Sequence, residues 1–186
     1  MKLNGPLNRK AISILLIANT IMSEKPGTFR YFFSAPQDVA TKCIFCKIAN
    51  GSIQPGSRQE PAELIFENDR LVAFDDINPG ASHCHVLVVT KEHYKNCWDP
   101  RLTSTLLNEM DQVADQLLEQ FRRREVDHTV NIRKFFIRPP FNSVYHIHLH
   151  VMMGTLTDPD WHPRKLGFQS SLFHITPDQL KKEQSW

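Results

Sequence analysis

No apolar run in this chain approaches the roughly 20 residues that span a bilayer, so no membrane partner is expected. No charge of one sign dominates either: 22 Lys and Arg stand against 20 Asp and Glu, a formal net charge of +2. A nucleic-acid footprint needs a basic patch or stripe, and this balance leaves no excess to build one. Internal repeats and low-complexity tracts are missing too, which argues against solenoids and arrays. Cysteine is scarce: Cys43, Cys46, Cys84 and Cys97 are all there are. Two of them form a Cys43-x-x-Cys46 pair. In an oxidising compartment such a pair points to disulfides, and in a reducing one to a metal half-site or a redox pair. Cys84 and Cys97 show no pairing pattern.

What remains is ordinary globular material. Hydrophobic residues are 41% and charged residues 23% of 186 positions, enough for one domain and an extension. Met1 to Thr20 holds Lys2, Arg9 and Lys10, no acid, and the apolar run Ala11 to Ala18. That is the make-up of a targeting segment, secretory or mitochondrial, and equally of an unstructured tail or of sequence upstream of a start at Met22. Arg30-Tyr31-Phe32-Phe33-Ser34 adds a weak mitochondrial-processing pattern. Residues 1–40 are therefore set apart as an N-terminal extension. Cytoplasm or nucleus is the default location, and mitochondria if the first 20 residues act as a presequence.

From Cys43 onward the pattern becomes structural. Cys43 to Gly51 reads as a short helix with a glycine C-cap. Glu63 to Glu67 and Leu71 to Asp75 flank the turn Asn68-Asp69 and read as a hairpin. His85 to Val89 is a β run, expected at the sheet centre. Leu106, Leu107, Met110, Val113, Leu117, Leu118 and Phe121 fall on one stripe at helical period, opened by Thr103 or Ser104 as cap. Val130 to Ile137 and Ser143 to Met152 are strands, separated by Pro139-Pro140. Thr155 to Ser171 reads as an irregular tail. Thr176-Pro177 opens a short terminal helix. The fold class expected is α+β, an antiparallel sheet of about five strands with packed helices.

The chemistry concentrates in His146-Ile147-His148-Leu149-His150. A strand puts alternate side chains on one face, about 7 Å apart, so three imidazoles share a face while Ile147, Leu149 and Val151 turn to a core. An exposed polar face would need no imidazole in particular. A metal site and nucleophilic catalysis both would.

Here the chain resembles the histidine-triad (HIT) superfamily, whose signature is His-φ-His-φ-His-φ-φ. Three further segments match in order: Cys43-Ile44-Phe45-Cys46-Lys47-Ile48, Phe74-Asp75-Asp76-Ile77-Asn78-Pro79, and His85-Val86-Leu87-Val88-Val89-Thr90-Lys91-Glu92-His93. The resemblance covers roughly residues 41–153, taken as the HIT domain, with 154–186 as a C-terminal tail. Ser143-Val144-Tyr145 looks like the histidine triad nucleotide-binding (Hint) branch, and Pro139-Pro140-Phe141 and Leu166-Gly167-Phe168 resemble its third paralogue type.

The resemblance implies a hydrolase that releases AMP from purine nucleoside phosphoramidates or acyl-adenylates through a nucleotidyl-histidine. It implies His148 as nucleophile, His150 and His85 around the phosphate, and Ser143 near the leaving group. Asp76 would take the ribose hydroxyls with Ile77 beside it, and Ile44, Phe45, Ile48 and Leu87 would form the purine slot. His146 would orient the nucleotide site or bind metal. A homodimer is implied, and no cofactor for the chemistry. Two other functions stay open: a dinucleoside polyphosphate hydrolase, and a non-catalytic nucleotide-binding scaffold. In some relatives the cysteine pair is completed by two histidines, which here are His93 and His146, giving a structural zinc site with Cys43 and Cys46; two small buried thiols are the other reading. One departure stands out. The family usually carries a Gly-rich loop with an amide residue eight positions before Ser143, and this chain has Phe135 there. Arg138 is the candidate replacement.

Overall fold

The computed structural model describes residues 42–52, 64–124, 130–158 and 162–184. The N-terminal extension, residues 1–40, lies outside the described residues. Six strands form one antiparallel sheet in the order β1-β2-β3-β5-β4-β6: β1 (Phe66–Glu67), β2 (Leu71–Asp75), β3 (Cys84–Thr90), β4 (Ile132–Ile137), β5 (His148–Met153) and β6 (His174–Ile175). Among the described residues, four helices accompany it: α1 (Ile44–Ala49), α2 (Ser104–Arg122), α3 (Pro163–Gln169) and α4 (Pro177–Glu183). The strand beyond the five expected is β6, which lies in the segment read as tail. It pairs with β4 through Phe136↔Ile175 and Ile137↔His174. The irregular stretch expected over 155–171 contains α3. No helix among the described residues is long and apolar enough to cross a membrane.

Period-two alternation gives the sheet two different faces. Leu71, Ala73, Val86, Val88, Leu149, Val151 and Met153 face α2 and pack with its stripe Leu106, Leu107, Met110, Val113, Leu117 and Leu118. Thr103 caps that helix, its side chain accepting from Leu106 N at 3.2 Å. On the opposite face, α1 covers Val72, Phe74, Leu87 and Val89. The α3 residue Phe168 covers Phe135 and Met152. The α1 helix ends as expected, with Gly51 at φ 74°, a conformation that costs glycine little. The terminal helix α4 carries a complete capping box between Thr176 and Gln179, and its Leu180 joins the α2 core.

The triad strand starts later than the sequence suggests. Residues 143–147 are outside β5, which begins at His148. The Tyr94 carbonyl accepts from Ile147 N at 2.7 Å, so the chain ahead of β5 is held by the loop after β3 and leaves the ladder there.

Candidate active site

Registry brings the site together. His148 pairs with Val89 and His150 with Leu87 across β3–β5, while Phe135 of β4 stands opposite His150. All three histidines of the motif are buried, with at most 7% of any residue exposed. They do not form one row. His148 and His150 stay together, with ring centroids 4.9 Å apart. His146, ahead of the strand, is turned toward the cysteine pair.

Each imidazole is fixed by a partner of known polarity. His148 Nδ1 lies 2.6 Å from the His146 carbonyl. A carbonyl only accepts, so Nδ1 carries the hydrogen and Nε2 is left with its lone pair. Burial holds the His148 pKa below its ordinary value, against the opposing pull of that hydrogen bond. His85 is fixed from the other end: the Gly80 backbone N–H donates to His85 Nδ1 at 3.0 Å. Nδ1 is thereby an acceptor, and Nε2 holds the proton. The nearest acceptor for it is His150 Nδ1 at 2.9 Å; Asp76 Oδ2 is farther, at 3.4 Å. With Nδ1 accepting, His150 keeps its hydrogen on Nε2. Burial pushes His85 down to about 3, with the Arg164 charge adding to the effect. The same causes, with His148 and His85 nearby, hold His150 well below the usual range. The site is a run of neutral imidazoles: Gly80 N–H to His85, His85 to His150, with the remaining hydrogen on His150 Nε2.

Rings wall this dyad in. Phe135 stacks on His150 at 5.2 Å and 14°. Phe168 meets His85 at 5.6 Å edge-on and His150 at 5.5 Å. Phe45 approaches His148 edge-on at 5.1 Å. Phe45, Ile48 and Leu87, three of the four expected slot residues, are buried in one cluster. Ile44 is 44% exposed and Ile77 53% exposed. Asp76 Oδ1 accepts from Asn78 N at 2.9 Å. Burial raises the Asp76 pKa, with the Asn78 amide and Arg164 opposing. Ser143 lies exposed on the turn before the triad. Arg138, the candidate replacement for the missing amide, is engaged elsewhere: it bonds Glu183 at 3.0 Å and the His174 carbonyl at 3.1 Å.

Among the described residues, two groups of side chains have metal-ligand composition: Cys43, Cys46, His93 and His146, and Asp76, His85 and His150, each with donor atoms within 4.8 Å. The first fits zinc. His146 Nδ1 is 3.5 and 3.4 Å from the two sulfurs, and His93 Nδ1 is 3.2 Å from Cys46 Sγ. Tetrahedral zinc with bonds of about 2.3 Å to sulfur and about 2.0 Å to nitrogen wants such donors about 3.6 Å apart. The Thr90 carbonyl accepts from His146 Nε2–H at 2.8 Å, which leaves the Nδ1 lone pair facing the thiols, the outer support usual for a ligating histidine. Burial and the neighbouring Cys43 push the Cys46 thiol up to about 12, a penalty on the thiolate that a cation reverses. The second group does not fit, because the Gly80 amide occupies His85 Nδ1 and keeps a hydrogen on the nitrogen that would have to coordinate.

The chain is similar to known proteins in sequence and fold. The family described as "Scavenger mRNA decapping enzyme C-term binding" matches residues 42–160, well over half the chain. A Hit-like protein from Bartonella henselae has the same fold, with a TM-score of 0.50 at 22% identity, over 78% of this chain and 96% of that one. Fold, matched family and the buried histidine pair define a histidine-triad protein, and the chain belongs to that family. Within it, the chain is 34% identical over 149 residues to the adenosine 5'-monophosphoramidase HINT3 of Xenopus tropicalis, covering 74% of this chain and 84% of that protein. It is 35% identical over 112 residues to the bifunctional adenosine 5'-phosphosulfate phosphorylase/adenylylsulfatase HINT4 of Arabidopsis thaliana, covering 58% and 67%.

Four site residues were not found from sequence: Phe135, Phe168, Arg164 and the Gly80 amide. Phe135 was findable, since the pairing of adjacent strands places it opposite His150. The other three are brought in by turns and by α3, and no spacing rule announces them.

Proposed function

We propose that the chain is a nucleotide hydrolase that releases AMP from adenosine 5'-phosphoramidates and acyl-adenylates, with His148 as nucleophile. The observation that carries this reading is the hydrogen bond from His148 Nδ1–H to the His146 carbonyl. It leaves an unprotonated Nε2 on a ring that burial keeps neutral, the state an attacking imidazole requires. In the first step the Nε2 lone pair bonds the α-phosphorus, the phosphorus–nitrogen bond to the leaving amine breaks, and the amine takes a proton from water. In the second, water attacks the same phosphorus, the phosphorus–Nε2 bond returns its electron pair to His148, AMP leaves, and the water's surplus proton goes to solvent. His150 Nε2–H donates to the phosphate oxygen where negative charge builds. His85 acts through His150, since its own Nε2–H is already engaged there. Asp76 takes the ribose hydroxyls, the Phe45, Ile48 and Leu87 cluster lines the base side, and Ser143 stands toward the leaving group.

His148→Asn should fold normally and release no AMP from adenosine 5'-phosphoramidate, while intact-mass analysis of quenched wild type should find an adenylyl group on the His148 peptide. Turnover retained by the variant would sink the mechanism. Wild type should prefer the phosphoramidate over diadenosine polyphosphates; the reverse order would favour the dinucleoside reading. A homodimer is the proposed assembly, to be measured by light scattering on the full chain.

The same reading gives Cys43, Cys46, His93 and His146 a structural zinc ion. When bound, zinc supplies a crosslink between α1, the loop after β3 and the approach to β5, and takes no part in the reaction. Metal analysis should find one zinc per chain, lost in Cys46→Ser. A metal-free wild type purified without chelator would rule it out.

A further inference from the structure

The turn Asp76-Ile77-Asn78-Pro79-Gly80 carries both the carboxylate beside His85 and the amide that fixes the His85 tautomer. It is fastened from the C-terminal side. Thr157 N donates to the Gly80 carbonyl at 3.1 Å, and Thr157 Oγ1 donates to the Pro79 carbonyl at 3.4 Å. Phe168 lies so close to Gly80 that a Cβ there would come within 2.5 Å of its ring. Among the described residues the charged fastening is Arg164, whose Nη1 donates to the Asn78 carbonyl at 2.6 Å. Arg164 is itself held two-pronged by Asp158, Nε to Oδ2 at 2.8 Å and Nη2 to Oδ1 at 2.6 Å. Such a fork fixes both distance and plane. Arg164 and Phe168 both lie past residue 160, where the family match ends.

The backbone of Asn78 is gripped at both of its polar atoms. Its N–H is taken by the Asp76 carboxylate at 2.9 Å, and its carbonyl is taken by Arg164. We propose that Arg164 is a positioning residue for the nucleoside: anchored by Asp158, it acts through the Asn78 backbone to hold the Asp76 carboxylate where a ribose meets it. The inference rests on the nucleotide-hydrolase reading above. The guanidinium charge also opposes protonation of all three groups nearby, working against burial at Asp76 and adding to burial at His85 and His150. An ion pair that only stabilised the surface would have no reason to spend its third hydrogen bond on this turn.

The test compares Arg164→Met, Arg164→Lys and Asp158→Asn in the full chain. Adenosine and AMP affinities are measured by calorimetry, and KM and kcat on adenosine 5'-phosphoramidate. In Arg164→Met, adenosine and AMP should weaken together by about tenfold, the size of one charge-assisted hydrogen bond. KM should rise by the same factor while kcat stays close to wild type. Asp158→Asn should move the same way by less, and Arg164→Lys should recover part of the loss, because an ammonium reaches the Asn78 carbonyl but not with the same plane. If Arg164→Met fails to fold, the other two variants carry the comparison. Unchanged adenosine affinity overturns the assignment. So does a loss for AMP alone, which would mean direct phosphate contact, or a fall in kcat alone. A wild type that binds neither adenosine nor AMP overturns the nucleotide reading and the assignment with it; a wild type that binds both beside an unchanged variant overturns the assignment only.

Discussion

At the scale of single residues, the site depends on imidazoles that refuse protons. His85 ordinarily titrates at 6.5, and burial takes it to about 3 in the folded chain. Between those values the unfolded chain binds a proton that the native chain does not. Stability is therefore full above about pH 6.5 and falls as pH drops toward about 3, by about 1.4 kcal/mol per pH unit for each such group. Denaturant midpoints across that window should show the slope, and His85→Gln should make it shallower; a flat wild-type profile would contradict the buried neutral state. Thr90 is the matching test for the cysteine pair. Its carbonyl and hydroxyl both reach His146 Nε2, at 2.8 and 3.0 Å. Thr90→Val keeps the carbonyl and loses the hydroxyl, so zinc affinity should fall toward the low end of the about 10- to 100-fold typical of outer-shell changes, read by competition with a chromophoric chelator. The residues that sequence made legible here are the histidines and cysteines of its motifs. Beside the side chains of Phe135, Phe168 and Arg164, what it hid acts through the backbone: the carbonyls of His146 and Thr90 and the amide of Gly80 carry no signature in a string of residue names.

At the scale of elements, α2 was legible from Thr103 to its last turn, because a cap and a seven-residue stripe are local signals. Thr103→Ala should lower stability by about 1 kcal/mol, measured by urea denaturation with activity retained. The start of β5 was not legible. Alternation continues through His146 in the sequence, but Ile147 N is taken by the Tyr94 carbonyl, a partner 53 residues away that no local pattern reveals. That early departure from the ladder is what separates the three histidines, leaving His148 and His150 side by side and turning His146 to the cysteine pair. The turn 76–80 is equally a product of packing. Gly80→Ala should displace the Phe168 ring that meets its Cβ and lower kcat on adenosine 5'-phosphoramidate, with little change in the far-ultraviolet circular dichroism.

At the scale of the whole molecule, the sheet divides its labour by face. One face joins α2 and α4 in the large core; the other is left for α1, α3 and the histidines. The binary pattern of β2, β3 and β5 made this fold class legible: all three are apolar on both faces, and the histidines of β3 and β5 are set into only one. The C-terminal segment was not legible as part of the same body: β6 is two residues long and α3 has no apolar stripe long enough to detect. Leu180 of α4 is fully buried in the α2 core. Leu180→Ala should cost roughly 2–5 kcal/mol and shift one cooperative melting transition, with no separate transition for the C-terminal segment.

The imidazole run that begins at Gly80 has a direction, and the direction is set by an atom that can only give. Proline at position 80 would take that hydrogen away. His85 would then be free to carry its proton on Nδ1, His150 would turn to donate back to it, and His150 Nε2 would hold a lone pair where a hydrogen now stands. The ring of that proline would also press on Phe168, yet every histidine would remain, and the proposed phosphate donor would be gone. One backbone hydrogen determines which end of the His150 ring carries its proton.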